Sequence, residues 1–294
     1  MAILVTGAAG LVGRAAVAAL LRQGVEHVRA VVREPAQVGD LRRLGAKVAL
    51  LDATDPDGLA AAMDGVFTAC SLTGGLWPRP GEDPYASVVE PARVFLAAAG
   101  AAGVRRLVIC SPAAVATPAA QRNPHLAAKA EVERMVAASG LEHAILRCPH
   151  VLGPGSRLLA LLAGSAVPVP VPGDGRQRVA PVWVGDVADA IATADDAPEL
   201  AAATWSLSGP TQLTFDDLVD AVRGSRVDKR HLAPGDGQAP GPGAELSEVQ
   251  AGVLAADSLA DPALAPAPGL VPTPLAEALA RSAGAWRSRV AGSP

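Results

Sequence analysis

The stretch "VTGAAGLVG", residues Val5 to Gly13, decides how the rest of the chain is read. It ends a short apolar run, Ala2 to Thr6, and opens a segment of helical spacing, Leu11 to Arg22, that closes at Gly24. Glycines 7, 10 and 13 thus form a GxxGxxG array at a strand-to-helix corner, the context that gives such an array meaning. Gly7 permits the tight turn, Gly10 lets the main chain approach a pyrophosphate, and Gly13 lets helix and strand pack closely. The start of the helix adds free N–H groups and the positive end of a dipole. Gly7, Ala9, Gly10, Leu11, Val12 and Gly13 are therefore expected to hold a dinucleotide. The alternative use of such glycines is a purely structural turn.

Outward from this corner, short apolar runs alternate with helical patterns. "AILVT", "HVRAVVR", "KVALLD", "VFTACS", "RLVICS" and "HAILRC" read as buried strands. Between them lie helix candidates at Leu11–Arg22, Asp55–Met63, Pro84–Ala102 and His125–Ser139, each followed by glycine. This alternation predicts an α/β fold, a Rossmann-type doubly wound parallel sheet. A smaller C-terminal substrate-side cap is expected after it. The boundaries read 1–155 for the dinucleotide-binding domain and 156–294 for the C-terminal region, with the strand and helix of 178–208 packing back onto the sheet. In that region Asp186 is expected to cap one helix and Thr214 another. The loop-rich stretch from His231 to Pro274 contains "APGDGQAPGPG", expected to be mobile.

The chain has 294 residues, half of them hydrophobic but only 3% aromatic, so its core must be built from Ala, Val and Leu. A net charge of −4 offers no basic excess for a phosphate backbone, which argues against nucleic acid as a partner. Cys70, Cys110 and Cys148 are far apart, with no CxxC pair and no clustered histidine, so neither a metal site nor a disulfide framework is expected. They read as reduced core thiols of a cytoplasmic protein. The start "MAILVTG" has no basic leader. The longest apolar run, Leu158 to Pro172, is broken by Gly164, Ser165 and three prolines and is too short for a bilayer. The Ala/Gly/Pro/Arg-rich usage matches a GC-rich bacterial genome. A small molecule is the expected partner, and a homo-oligomer is left open.

The strand ends carry the next signals. The second strand ends "VVRE", placing Arg33 where a guanidinium grips the 2′-phosphate of NADP(H). Glu34, the next residue, could serve NAD(H) instead, and Arg33 could be a solvated loop charge. NADP(H) is preferred. Asp52 and Ala53 follow the third strand at the adenine side, while Asp55 is expected to cap the next helix. Leu72 and Thr73, in "ACSLTGG", would line the ribose side.

Together these residues resemble the short-chain dehydrogenase/reductase superfamily, and most of all its atypical and extended branches, the NmrA-like and sugar-nucleotide-epimerase-like NAD(P)-binding proteins. "TGAAGLVG" is similar to the family's TGxxGxxG, and "LVICSPAAV" to its fifth strand. "HLAAKAEVERMVAASGLEHAILRCPHVLGPG" is similar to the helix, strand and loop that carry Tyr-x-x-x-Lys and face the nicotinamide. The resemblance places Lys129 at the lysine and His125 at the tyrosine. The chain's one tyrosine, Tyr85, has Val89 at the lysine offset, and the serine position holds Pro112 beside Ser111.

What the resemblance implies is an NADP(H)-dependent oxidoreductase, reducing a small carbonyl or enone without the usual Tyr and Ser. Lys129 would bind ribose hydroxyls and act as acid or base. His125, with an ordinary pKa near 6.5, would replace the tyrosine as proton donor, unless it is a solvent-exposed residue at the helix start. Ser111 would neighbour the nicotinamide, as would Pro149, His150 and Val151, with His150 also reaching substrate. Tyr85 and Trp77, in "GGLWPRPGEDPY", would overhang the substrate, and Arg176 and Arg178 could bind an anionic group on it. The competing expectations are an NmrA-like NADP(H)-sensing regulatory protein and a non-redox dehydratase or epimerase on the same scaffold.

Overall fold

The computed structural model describes residues 2–77, 82–83, 85–196, 202–233 and 246–291. Strands β1 (Ala2–Thr6), β2 (His27–Val32), β3 (Lys47–Leu50), β4 (Val66–Ser71), β5 (Arg106–Pro112) and β6 (Glu142–Cys148) form where the continuous apolar runs occur. Between them lie α1 (Leu11–Arg22), α2 (Val38–Leu44), α3 (Pro56–Met63), α4 (Ala86–Ala101) and α5 (Pro124–Ala137). Helix α2 is absent from the sequence reading. It is seven residues long and buries one side chain, Leu41, so it leaves almost no apolar periodicity to detect.

The chain continues through β7 (Val151–Leu152), α6 (Arg157–Gly164), β8 (Val169–Pro172), β9 (Arg178–Val179) and β10 (Val182–Trp183). It then forms α7 (Val184–Asp196), β11 (Ala203–Ser206), β12 (Leu213–Thr214), α8 (Phe215–Arg223), β13 (Lys229–Leu232), α9 (Glu248–Leu254) and α10 (Leu275–Ala291). Seven strands make one sheet in the order β11-β6-β5-β4-β1-β2-β3, and every pairing in it is parallel. The winding reverses direction at β1, between β4 and β2. This is the switch point at which the carboxyl ends of the strands open a crevice.

Both faces of the sheet are covered. Ala16, Val17 and Leu20 of α1 share one core with Leu41 of α2 and Val187 and Ile191 of α7. Leu59 and Met63 of α3, Phe95 of α4 and Val132 and Val136 of α5 fill the other. A third cluster, around Leu159, Val171, Phe215 and Leu218, underlies the C-terminal elements. β11 extends the main sheet by pairing with β6. Thr214 caps α8, its hydroxyl accepting from the Asp217 N–H at 3.1 Å. Asp186 is not a cap. β10 runs straight into α7, which places Asp186 inside the first turn, where its carboxylate accepts from the Thr273 N–H (2.8 Å) and hydroxyl (2.7 Å). Of the "APGDGQAPGPG" segment, everything after Ala233 lies outside the described residues.

One polar knot ties α5 to the last third of the chain. The Arg147 guanidinium on β6 donates to Glu133 of α5 at 2.8 Å and to Asp261 at 3.1 Å. Glu133 is buried. Removing the cation strands a carboxylate in a poorly solvated place, which costs more than the pair contributes. Arg147→Met is therefore expected to destabilise the protein by about 3 kcal/mol. Chemical denaturation at neutral pH checks this; a loss below about 1 kcal/mol would mean that water already solvates Glu133.

Candidate active site

A cavity of about 1080 Å³ runs along the carboxyl edge of the sheet, over the switch point. Its floor is the glycine corner. Gly7 has φ +64°, and a Cβ there would stand 2.5 Å from the Leu72 carbonyl oxygen. A Cβ on Gly13 would collide with the carbonyl of Gly7 itself. The Gly10 N–H donates back to that carbonyl at 3.0 Å and closes the turn. The first N–H groups of α1, on Leu11, Val12 and Gly13, have no carbonyl partner within the helix. This corner is a cradle that side chains would fill, with amide donors facing into the space, and it fits a diphosphate.

At one end of the cavity stand Arg33, Asp52 and Ala53. The Arg33 guanidinium lies 3.4 Å from a Glu82 oxygen and 3.9 Å from an Asp52 oxygen, and it is partly solvent-exposed. Asp52 accepts from the N–H (2.9 Å) and hydroxyl (2.7 Å) of Thr54. Glu34 turns away into a cap on the following 3-10 turn, in a reciprocal box with Gln37. Asp55 caps α3 through the Gly58 N–H at 3.0 Å.

At the other end, Leu72, Thr73, Ser111, His125, Lys129, Pro149, His150 and Val151 come together from four separate segments. Helix α5 is positioned by its start. Pro124 occupies the first turn, and the Asn123 side-chain oxygen accepts from the N–H groups of His125 (3.1 Å) and Leu126 (3.2 Å). The amide of Asn123 also donates to the Val249 carbonyl at 2.8 Å, which holds α9 against α5. One helical turn on from His125, Lys129 is half-buried, and its Nζ donates to the Thr73 carbonyl at 3.0 Å. Burial pushes its pKa down to about 8, against the opposing pull of Cys110, Glu133 and Cys148.

Of the two readings of His125, the solvent-exposed one does not hold. His125 is not exposed at the helix start but only 3% accessible. Burial first, and the Lys129 charge second, push its pKa down to about 3. Both effects favour the neutral imidazole. Burial also pushes His150 down to about 4, and its ring meets Phe215 edge-on at 6.0 Å. The His150 Nε2 and the Ser111 hydroxyl are buried without a hydrogen-bond partner. Both belong to the cavity wall, where a polar ligand group would satisfy them.

Trp77 lines the cavity, but Tyr85 does not. Tyr85 precedes α4 and is 42% exposed, its N–H held by Asp83 at 3.0 Å. Residues 78–81 and 84 of that loop lie outside the described residues. Arg176 and Arg178 also stand away from the lining, and Arg178 donates to Gln212 at 2.8 Å. The wall around Lys129 includes residues the sequence reading passed over: Leu76, Ala114, Leu158, Val253 and Leu254, all apolar. Cys110 and Cys148 also face the cavity, whereas Cys70 is a core thiol. Their positions at the carboxyl ends of β5 and β6 were the available signal, since side chains there reach the crevice. Among the described residues no cluster of three or more His, Cys, Asp or Glu is placed to hold a metal. No helix among them is long and apolar enough to cross a membrane.

Comparison with known proteins agrees with this geometry. A family model described as NAD(P)H-binding matches residues 7–198. A 3-diazoavenalumate denitrifying reductase from a Streptomyces species is 31% identical over 211 residues, covering 60% of this chain and 66% of that protein, just under two thirds of its length. An NADPH-dependent quinone oxidoreductase from Escherichia coli, solved with NADPH, has a TM-score of 0.73 at 23% identity over 95% of this chain and 98% of its own. The UDP-glucuronic acid 4-epimerase from Bacillus cereus, solved with UDP-glucuronic acid and NAD, has a TM-score of 0.74 at 17% identity over 98% and 100%. The fold is that of the epimerase-like short-chain dehydrogenase/reductases. One of these two structures is of a redox enzyme and the other of an epimerising one, so the fold does not choose the reaction.

Proposed function

Because the chain belongs to the NAD(P)H-binding family, we propose that it is an NADP(H)-dependent reductase of a small, uncharged carbonyl or enone, with Lys129 as its proton donor. Bound at the glycine corner, the dinucleotide would supply the hydride. The observation that carries the reading is the state of Lys129. A half-buried ammonium with a pKa near 8 is charged at neutral pH yet acidic enough to release its proton to a forming alkoxide or enolate. The missing tyrosine is then not needed as the acid. The Thr73 carbonyl holds the amine in place while it gives up the proton.

The neighbouring groups support the same reading. His125 stays neutral and serves as a hydrogen-bonding group that orients the acceptor, not as the acid. His150 and Ser111 offer unpaired polar atoms suited to the amide of a nicotinamide. Leu76, Trp77, Leu158, Val253 and Leu254 favour an apolar acceptor. The relatives named as reductases of a quinone and of a diazo compound favour redox chemistry over epimerisation. The test is NADPH oxidation against quinones, enones, aldehydes and an aryl diazo compound. An enzyme that binds NADPH but reduces none of them would end this reading.

Arg33 supports NADP(H) over NAD(H). Its guanidinium stands at the end of β2, while Glu34, the group that would favour NAD(H), is engaged in its cap. Arg33→Ala is expected to raise the KM for NADPH roughly tenfold to a hundredfold, with little change for NADH. Equal losses with both cofactors would assign Arg33 a structural role. Turnover is expected to be flat below pH 8 and to fall about tenfold per pH unit above it, as Lys129 loses its proton. A profile that stays level to pH 10 would remove Lys129 as the acid.

A further inference from the structure

Two residues of the apolar wall beside Lys129, Val253 and Leu254, come from α9, a helix of only seven residues. So short a helix does not hold its place by its own hydrogen bonds and depends on contacts from elsewhere. Three side-chain amides supply them, each donating to a main-chain carbonyl. Asn123 donates to Val249 at 2.8 Å, Gln177 donates to Leu254 at 3.0 Å, and Gln250 donates out of α9 to Leu76 at 3.3 Å. The first differs from the other two, because the same Asn123 side chain caps α5. We propose that Asn123 is a positioning residue for the acceptor: it locks α9 to the start of α5, so that Val253 and Leu254 form a fixed apolar wall in the cavity that holds Lys129.

One amide divides the two tasks between its ends. Its oxygen accepts from the N–H groups of His125 and Leu126 at 3.1 and 3.2 Å, which sets the first turn of α5. Its nitrogen reaches α9. Asn123 is 7% exposed, so bulk water does not replace either bond at low cost. The approach is close: a Cβ on Gly252 would stand 2.8 Å from the Asn123 nitrogen. Glycine is unfavourable inside a helix, and at this position of α9 it is what lets the amide come in. Val253 then clusters with Ala114 and with Leu126, the residue after His125, while Leu254 joins the cluster of Leu158 and Phe215. Helix α9 therefore ties the start of α5 to the C-terminal elements, and an acceptor resting on it is held relative to the helix that carries Lys129. What the wall receives rests on the reductase reading; the docking of α9 depends on no reaction.

The test compares the full chain with Asn123→Asp at about pH 8, where the new carboxylate is ionised. The variant keeps an oxygen for the α5 cap and turns the donor into an acceptor facing the Val249 carbonyl. Hydrogen exchange of residues 248–254 is expected to speed up roughly tenfold, while that of 124–137 stays unchanged. The acceptor probe is duroquinone, an uncharged quinone with no free ring position, offered to protein saturated with NADP⁺, which carries no hydride. Calorimetry is expected to show duroquinone bound roughly tenfold more weakly by the variant, with NADP⁺ affinity within about twofold.

Gly252→Ala attacks the same contact from α9 and leaves the cap untouched, so it decides the matter should Asn123→Asp not fold. Helix propensity alone would slow exchange in α9, whereas the Asn123 lock requires faster exchange and weaker duroquinone binding. Unchanged exchange in α9, unchanged duroquinone affinity, an equal rise in exchange along α5, equal losses of duroquinone and NADP⁺, or a wild-type protein that binds no duroquinone would each overturn the proposal. Duroquinone bound by the wild-type protein, with no acceptor reduced by NADPH, would end the reductase reading and leave the role of Asn123 standing.

Discussion

Lys129→Met is expected to lose turnover by a factor of about 10²–10⁴ while making the folded protein more stable. The loss follows from the geometry: Lys129 lines the cavity from α5, held by the Thr73 carbonyl, and burial favours the neutral form of both neighbouring imidazoles. The gain follows from the pKa. The folded value is near 8 and the ordinary one 10.5, so the unfolded chain holds this proton more tightly than the folded chain does. Keeping the charge in place therefore costs stability at every pH below 8, and the cost fades as pH rises from 8 to 10.5. Methionine fills a similar volume without the charge. A gain of roughly 2 kcal/mol at pH 7 is expected, less than the full shift implies because water reaches the amine from the cavity. It should shrink at pH 10. Denaturation at both pH values, with NADPH turnover alongside, measures the two effects. A variant that is both inactive and less stable would point to a structural lysine.

The second large effect is expected at the glycine corner. In Gly13→Ala the added Cβ would overlap the main-chain carbonyl of Gly7, which cannot swing aside without opening the turn. The turn and the first N–H groups of α1 would shift together, and these are the proposed diphosphate contacts. NADPH affinity is expected to fall at least a hundredfold, with a stability loss of about 2–3 kcal/mol from overpacking. Gly39→Ala is the control, because a Cβ there meets nothing within 4 Å and Gly39 lies inside helix α2. It should be neutral or stabilising by up to about 1 kcal/mol. Calorimetric titration with NADPH distinguishes the two. Normal affinity in Gly13→Ala would mean that the dinucleotide sits elsewhere.

What could be read along the chain was local. The glycine array, the bounds of α1 and the caps at Asp55 and Thr214 all depend on residues within a few positions of one another. The doubly wound parallel sheet followed from the βαβ alternation, while its strand order came only with the structure. The helix that carries Lys129 could be placed because it is one unbroken period from Pro124, while the lysine's place in the site was what the family resemblance implied. Helix α2 escaped for the opposite reason, having too little buried surface to leave a pattern.

The sequence by itself determined the sheet, the glycine corner and the helix that carries the lysine, since periodicity and turn chemistry are short-range properties. Only the tertiary structure decided the chemistry of the cavity. It buried His125, which favours the neutral ring, and it carried Tyr85 away from the lining. It brought Val253 and Leu254 from the far end of the chain to close the wall beside Lys129, through an Asn123 bond spanning 126 residues. Charge state and reactivity depend on desolvation and on neighbours distant in sequence, and these exist only once the chain has packed.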